Sequence, residues 1–285
     1  LRGHAGKALF RDPELRVVST PAGTCLFDGV AVTLEHSPKE GFQIRDVAAG
    51  SDFVTIDTAA LDLKLEYQAT EADGATFFDV TLCDTSGKDR AVTLVYAVRT
   101  SAVQWFQNPR RTMEVESGRE YLDASRFSAG SNGRVSRYPF AAVADVGETV
   151  ALGIDMSRPA FFRVGYNSDS EELFLAYDVG LTPEKPSAQV RFCKFHSDST
   201  WGFRGALDRY YALFPEAFER RIAEQGLWMP FAKISEVKGW QDFGFRFKEG
   251  TDETAWDDAH GIITFRYTEP MTWWMCMPEG MPRTL

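Results

Sequence analysis

The sequence predicts a mainly β chain: a large two-sheet antiparallel sandwich, then a helical segment, then three further short strands. Three observations carry this. From residue 15 to 197, short runs alternate apolar and polar residues between turn residues. After Ser199 the apolar spacing becomes helical. From Gly226 short apolar runs return, each ending near a charged or polar aromatic group.

The predicted strands are 15–20, 23–36, 53–70, 76–85 and 90–100, then 148–156, 160–168, 172–181 and 187–195. Alternation places one face of each on a core and the other in water. The turns EADGA (71–75) and TSGKD (85–89) suit tight hairpins, because Asp and Gly accept left-handed backbone. So many strands with so little helix must hide their edges in a sandwich or barrel. The stretch 106–147 breaks the rhythm with Gly, Ser and Asn among five arginines between Arg111 and Arg137. It is expected to be a long excursion over one face or end of the sandwich, either functional or solvated decoration.

In 199–225 the apolar residues Phe203, Leu207, Tyr210, Tyr211 and Phe214 form one stripe. Ser199 or Thr200 can cap its start, Pro215 can open a second helical run to 224, and Gly226 supplies the exit. Beyond it, GLWMPFAKI (226–234), FGFRFKEG (243–250) and GIITFRYTEP (261–270) read as strands.

Composition excludes several functions. The 285-residue chain has a formal net charge of −10 and a pI near 5.0, which argues against nucleic acid and anionic membrane surfaces as partners. No apolar run approaches a membrane span, and no signal-peptide core follows Leu1. Cys25, Cys83, Cys193 and Cys276 form no CxxC pair, and His4, His36, His196 and His260 show no ligand spacing. No metal site and no cofactor is expected. Cys83 and Cys193 sit in similar strand-like runs and can be neighbours by chance. Nucleophile-elbow, phosphate-loop and dinucleotide motifs are absent.

The order of sandwich, helical run WGFRGALDRYYALFPEAFERR (201–221) and apolar strands resembles glycoside hydrolases. In these, an N-terminal galactose-mutarotase-like β-super-sandwich and a short helical linker precede a (β/α)8 catalytic barrel. The resemblance implies a super-sandwich at 1–198, a linker at 199–225 and the first barrel strands at 226–285. About 60 residues cannot complete a barrel, which needs about 250, so the reading expects the remainder of its own chain beyond Leu285. It also implies an oligo- or polysaccharide substrate and, from that substrate class, an extracellular or periplasmic setting. The family's catalytic carboxylates usually come from later strands, so none is transferred to this chain.

Glycoside hydrolysis needs paired carboxyl groups and aromatic platforms, and 226–285 is rich in both. Glu269 is the first catalytic candidate, since it follows an apolar run and would stand at a strand's carboxyl end. Trp240, Asp242, Tyr267 and Trp273 are the substrate-lining candidates. Asp242 and Glu249 flank FGFRF, where strand-end solvation is the simpler account. Glu253, Asp257 and Asp258 can make a cation site by count alone, without the spacing of a calcium loop.

Two rival readings remain open. One is a non-catalytic carbohydrate-binding or structural sandwich, with 226–285 added as antiparallel strands. The other is a lyase or epimerase with Tyr138, Arg163, Tyr166 and His196 converging on one sheet face. The direction of the last strands separates the first rival from the barrel.

Overall fold

The computed structural model describes residues 24–28, 30–33, 40–108, 111–124, 138–158, 160–267 and 279–280. They form two compact units, 1–218 and 219–285.

The first unit begins with β1 (Thr24–Phe27), β2 (Val30–Thr33), β3 (Gly41–Asp46), β4 (Val54–Thr55) and β5 (Ala59–Ala60). It continues with β6 (Leu63–Ala72), β7 (Ala75–Asp84), β8 (Arg90–Arg99), β9 (Gln104–Asn108), β10 (Arg111–Glu114) and β11 (Glu120–Ala124). The last strands are β12 (Phe140–Ala144), β13 (Glu148–Ile154), β14 (Arg163–Asn167), β15 (Glu172–Leu181) and β16 (Ser187–Asp198). One sheet has the order β10-β9-β12-β13-β16-β7-β6-β5, the other β11-β14-β15-β8-β3-β4, and β1 and β2 form a hairpin. All their pairings are antiparallel. The predicted two-sheet sandwich is therefore present.

Local chemistry sets the turns. Asp73 and Gly74 both take left-handed backbone between β6 and β7, as a two-residue hairpin requires. Leu61 and Asp62 do the same, which splits the single strand expected over 53–70. After β7 the Asp84 carboxylate accepts from the Gly87 amide at 2.6 Å and fixes the next turn.

Between the sheets, Phe42, Ile44, Leu94, Tyr96 and Leu175 meet Phe78, Val80, Leu82, Val143, Leu152 and Phe192 in one core. Phe78 and Phe192 stack at 4.6 Å between centroids. A second core lies on the outer face of the eight-stranded sheet. There α1 (Phe203–Leu213) sets Phe203, Ala206, Tyr210 and Leu213 on Phe106, Phe140, Ala142 and Phe195. The Tyr210 hydroxyl donates to the Ile154 carbonyl at 2.7 Å. A Cβ on Gly153 would stand 2.9 Å from the Tyr210 ring, so glycine is what lets the helix come this close.

Three expectations are corrected. The stretch 106–147 is not one excursion: β9 to β12 run through it, and only 109–110 and 125–137 lie outside the described residues. The helix expected over 215–224 is a single 3₁₀ turn, Pro215–Ala217, with no regular structure from 218 to 226. Cys83 and Cys193 lie on paired strands but are not opposite one another, since Cys83 faces Ser187 and Cys193 faces Phe77. The predicted strand 15–20 lies outside the described residues.

The second unit contains β17 (Leu227–Pro230), β18 (Phe245–Glu249), α2 (Thr254–Ala259) and β19 (Ile263–Phe265). Its strands form a separate sheet in the order β17-β18-β19, and both pairings are parallel. These are not extra strands of the sandwich.

Candidate functional site

Parallel pairing brings the carboxyl ends of β17, β18 and β19 to one edge. Just past β17, the Phe231 amide donates to the Glu249 carbonyl at 2.9 Å, and just past β18 the Gly250 amide donates to the Phe265 carbonyl at 2.9 Å. These bonds carry the ladder beyond the strands into the loops. Phe231 holds left-handed backbone, φ 54°, which is costly for a bulky residue and marks a position constrained by its surroundings. Its exposed ring meets the exposed Tyr267 ring edge-on at 5.1 Å. Two aromatic side chains from loops after different strands therefore share this edge, beside Glu249 at the end of β18.

The two faces of the sheet differ. Residues two apart share a face, so Trp228, Phe247 and Phe265 lie on one face of the three strands, with Trp228 stacked on Phe265 at 4.9 Å. Trp228 is 46% exposed. Glu249 continues this face at its carboxyl end, opposite Phe265.

The other face carries Lys248, which is fully buried. Its ammonium lies 2.8 Å from Asp252, 3.1 Å from Glu253 and 3.3 Å from Asp257. Burial opposes the charge, but the three carboxylates outweigh it and hold the lysine above its ordinary value. Lys248 in turn holds the Asp252 carboxyl low. Burial opposes ionisation of Glu253, and hydrogen bonds from Ser235 and Lys248 overcome it. Asp257, also fully buried, accepts from Thr264 Oγ1 at 3.1 Å. The cation these acids attract is thus the chain's own lysine, which corrects the cation site weighed over Glu253, Asp257 and Asp258. Among the described residues, no group of His, Cys, Asp or Glu has the arrangement of a metal site.

The sequence candidates separate in space. Tyr267 stands at the carboxyl edge. Trp240 and Asp242 occupy a 3₁₀ turn before β18, at the opposite end of the strands. There Trp240 packs edge-on against Trp256 at 4.9 Å and His260 at 5.1 Å, on the end of α2. Trp240 and Asp242 therefore do not join Tyr267 in one site. Glu269 and Trp273 lie outside the described residues.

Convergence of Tyr138, Arg163, Tyr166 and His196 is also absent. Arg163 and Tyr166 belong to β14 of the six-stranded sheet and His196 to β16 of the eight-stranded one. Tyr166 is buried with its hydroxyl donating to the Thr100 carbonyl at 3.0 Å, and His196 Nδ1 lies 2.8 Å from Glu148. Tyr138 packs on Phe203 beneath α1.

Nothing in the local sequence pattern marks Phe231, and Lys248 reads as one ordinary charge beside FGFRF. The available signal for Lys248 was KEGTDETAWDD, where acids at four, five and nine residues on surround a strand lysine.

No protein-family model and no curated protein matches the chain. Among solved structures it is similar to a variant of the GH36 α-galactosidase AgaA from Geobacillus stearothermophilus in complex with raffinose. The TM-score is 0.41, with 16% identity over 75% of this chain. It is similar also to the GH36 α-galactosidase AgaB of that organism, with TM-score 0.38 and 15% identity over 68% of this chain. The chain spans 35% of the length of each. The Slr1438 protein from Synechocystis sp. PCC 6803 follows, with TM-score 0.28 and 8% identity over 62% of this chain and 73% of its own. At such identities and TM-scores, function has to be argued from the residues themselves.

Proposed function

We propose that β17–β19 open a (β/α)8 barrel and that the chain is the amino-terminal portion of an enzyme hydrolysing glycosidic bonds. The observation that carries this is the run of three consecutive strands paired in parallel in chain order, with α2 between β18 and β19. Such units are what a barrel repeats, and barrel enzymes place their chemistry at the carboxyl ends of the strands. The aromatic face of Trp228, Phe247 and Phe265 would be the barrel interior. Phe231 and Tyr267 would form an apolar platform for a sugar face at the mouth. Glu249 and Glu269 would be the carboxylates this part of the chain offers, accepting from sugar hydroxyls or taking part in acid–base work, with further carboxylates on later strands. Trp240 and Asp242 drop out of the site, since they stand at the other end of the strands.

The reading is tested on the protein from its natural source. Its intact mass and C-terminal peptides are expected to run past Leu285, and it is expected to hydrolyse an aryl glycoside. Glu269→Gln should lower kcat by about 100-fold or more, while Trp240→Ala leaves it within about threefold. A protein ending at Leu285 without glycosidase activity would sink the proposal.

A further inference from the structure

The outer face of the six-stranded sheet has a depression whose chemistry the barrel reading leaves unused. In-register pairing sets outward residues in rows. Arg45, Thr93 and Asp178 share one row across β3, β8 and β15, and Ala91 and Gly180 share the next. Arg163 reaches in from β14, and Asp28 from the turn of the β1–β2 hairpin. Together with Val47 they line a depression of about 370 Å³, near the lower end for small-molecule sites, roughly 300–1,000 Å³. A Cβ on Gly180 would meet nothing within 4 Å, so the small-residue row is open floor.

The polar groups are built rather than incidental. Asp28, with its side chain 5% exposed, accepts from Arg163 Nε and Nη2, both at 2.7 Å. Asp178 accepts from Arg163 through Nη1 at 2.5 Å and Nη2 at 3.0 Å, and from Thr93 Oγ1 at 3.0 Å. Its side chain stays 61% exposed, so its remaining lone pairs face water. Arg45 donates through Nε to the Ser51 carbonyl at 2.9 Å, and its terminal nitrogens make no hydrogen bond among the described residues.

We propose that this depression binds a neutral sugar ring. Arg45 offers unused donors, whereas Asp178 is an exposed carboxylate that can still accept. A hydroxyl is both, so a ring bearing adjacent hydroxyls satisfies the two at once. An anion without hydroxyls has no proton for Asp178, and an ammonium group without hydroxyls has no acceptor for Arg45. The four charged side chains cancel in sign, and the chain as a whole carries −10, so nothing draws an anion here. The site belongs to the sandwich unit and stands apart from the barrel reading.

The test is ligand-observed NMR of the 285-residue chain with methyl glycosides of glucose, galactose, mannose and xylose. At least one is expected to bind with Kd on the order of 1 mM. Gly180→Phe, whose Cβ enters open space above the floor, and Asp178→Asn should each weaken it at least tenfold, with the melting midpoint of Gly180→Phe unchanged. Three results would overturn the proposal. None of the four binds; binding persists within twofold in both variants; or only methyl glucuronide binds, making the ligand an anion. Binding lost in Tyr267→Ala but not in Gly180→Phe would move the sugar to the parallel strands and also count against it.

Discussion

The two sheets of the sandwich and the three-stranded sheet solve the same problem differently. In the sandwich, each sheet gives its inner face to the other, and Trp105, Tyr166 and Phe192 are all but inaccessible. The sheet β17–β19 is parallel, a pairing normally buried on both faces. Here one face holds the Lys248 cluster while the other leaves Trp228 and Ile263 exposed and Phe247 and Phe265 half-buried. The lesson is that antiparallel hairpins make a self-sufficient core from local chain, whereas parallel strands depend on covers supplied from elsewhere. Three short strands are also near the lower limit for independent stability.

The largest expected effects compare two phenylalanines. Phe192→Ala in the sandwich core should cost about 3–5 kcal/mol in urea unfolding. Phe265→Ala, on the half-covered face, should cost no more than about 1.5 kcal/mol in this chain. If β17–β19 open a barrel, the same change in a longer protein should cost as much as a core truncation. Equal costs in both settings would break the contrast.

Lys248→Met removes the positive partner of two largely buried acids and should destabilise the second unit by about 3–5 kcal/mol. Hydrogen exchange should then accelerate in β18 while β16 holds its protection. Acceleration in both would mean that the two units unfold as one.

A pH effect of about 3 kcal/mol is expected from Glu172, which is 2% exposed and whose carboxyl burial pushes up to about 7 from 4.5. Between these values the folded state holds a proton that the unfolded state has released. Stability from this group is therefore present at low pH and lost as pH rises toward 7. Glu172→Gln cannot ionise, so its stability relative to the parent should grow from pH 4.5 to 7 and then level off. A constant difference across that range would refute the assignment. Asp252 in the second unit has the opposite sign. Lys248 depresses its carboxyl, so its contribution is present above the ordinary carboxylate range and lost as pH falls through the lowered value.

Gly153→Ala should cost about 1–3 kcal/mol, because the new methyl drives Tyr210 off the sheet. A neutral result in thermal melting would show that α1 shifts freely.

Much of the sandwich was legible because period-2 alternation survives wherever one face is wet. It failed at Phe140–Ala144, where all five residues are buried between the core and α1, and a uniformly apolar run has no period to read. It failed also at Gly41–Asp46, a buried strand carrying Gln43 and Arg45. In the second unit the strands were legible but not their partners. Tyr267 stands out in the sequence because it ends an apolar run. Its contact with Phe231 depends on parallel pairing across 36 residues of sequence, which no local pattern encodes. Trp240 and Asp242 lie in the turn before β18, and richness in Trp and Asp says nothing about which end of a strand such residues occupy.

The seating of α1 has a practical consequence for anyone dissecting the molecule. By sequence the sandwich ends with β16 at Asp198, and that is the tempting place to cut. A domain cut there would uncover Phe106, Phe140 and Phe195 side by side on a broad sheet, the kind of greasy plane that sticks to its own copies and precipitates. Carrying the cut to Phe218 keeps the helix as a lid over those rings, and soluble yield in expression trials would reveal how much of the domain's good behaviour one short helix provides.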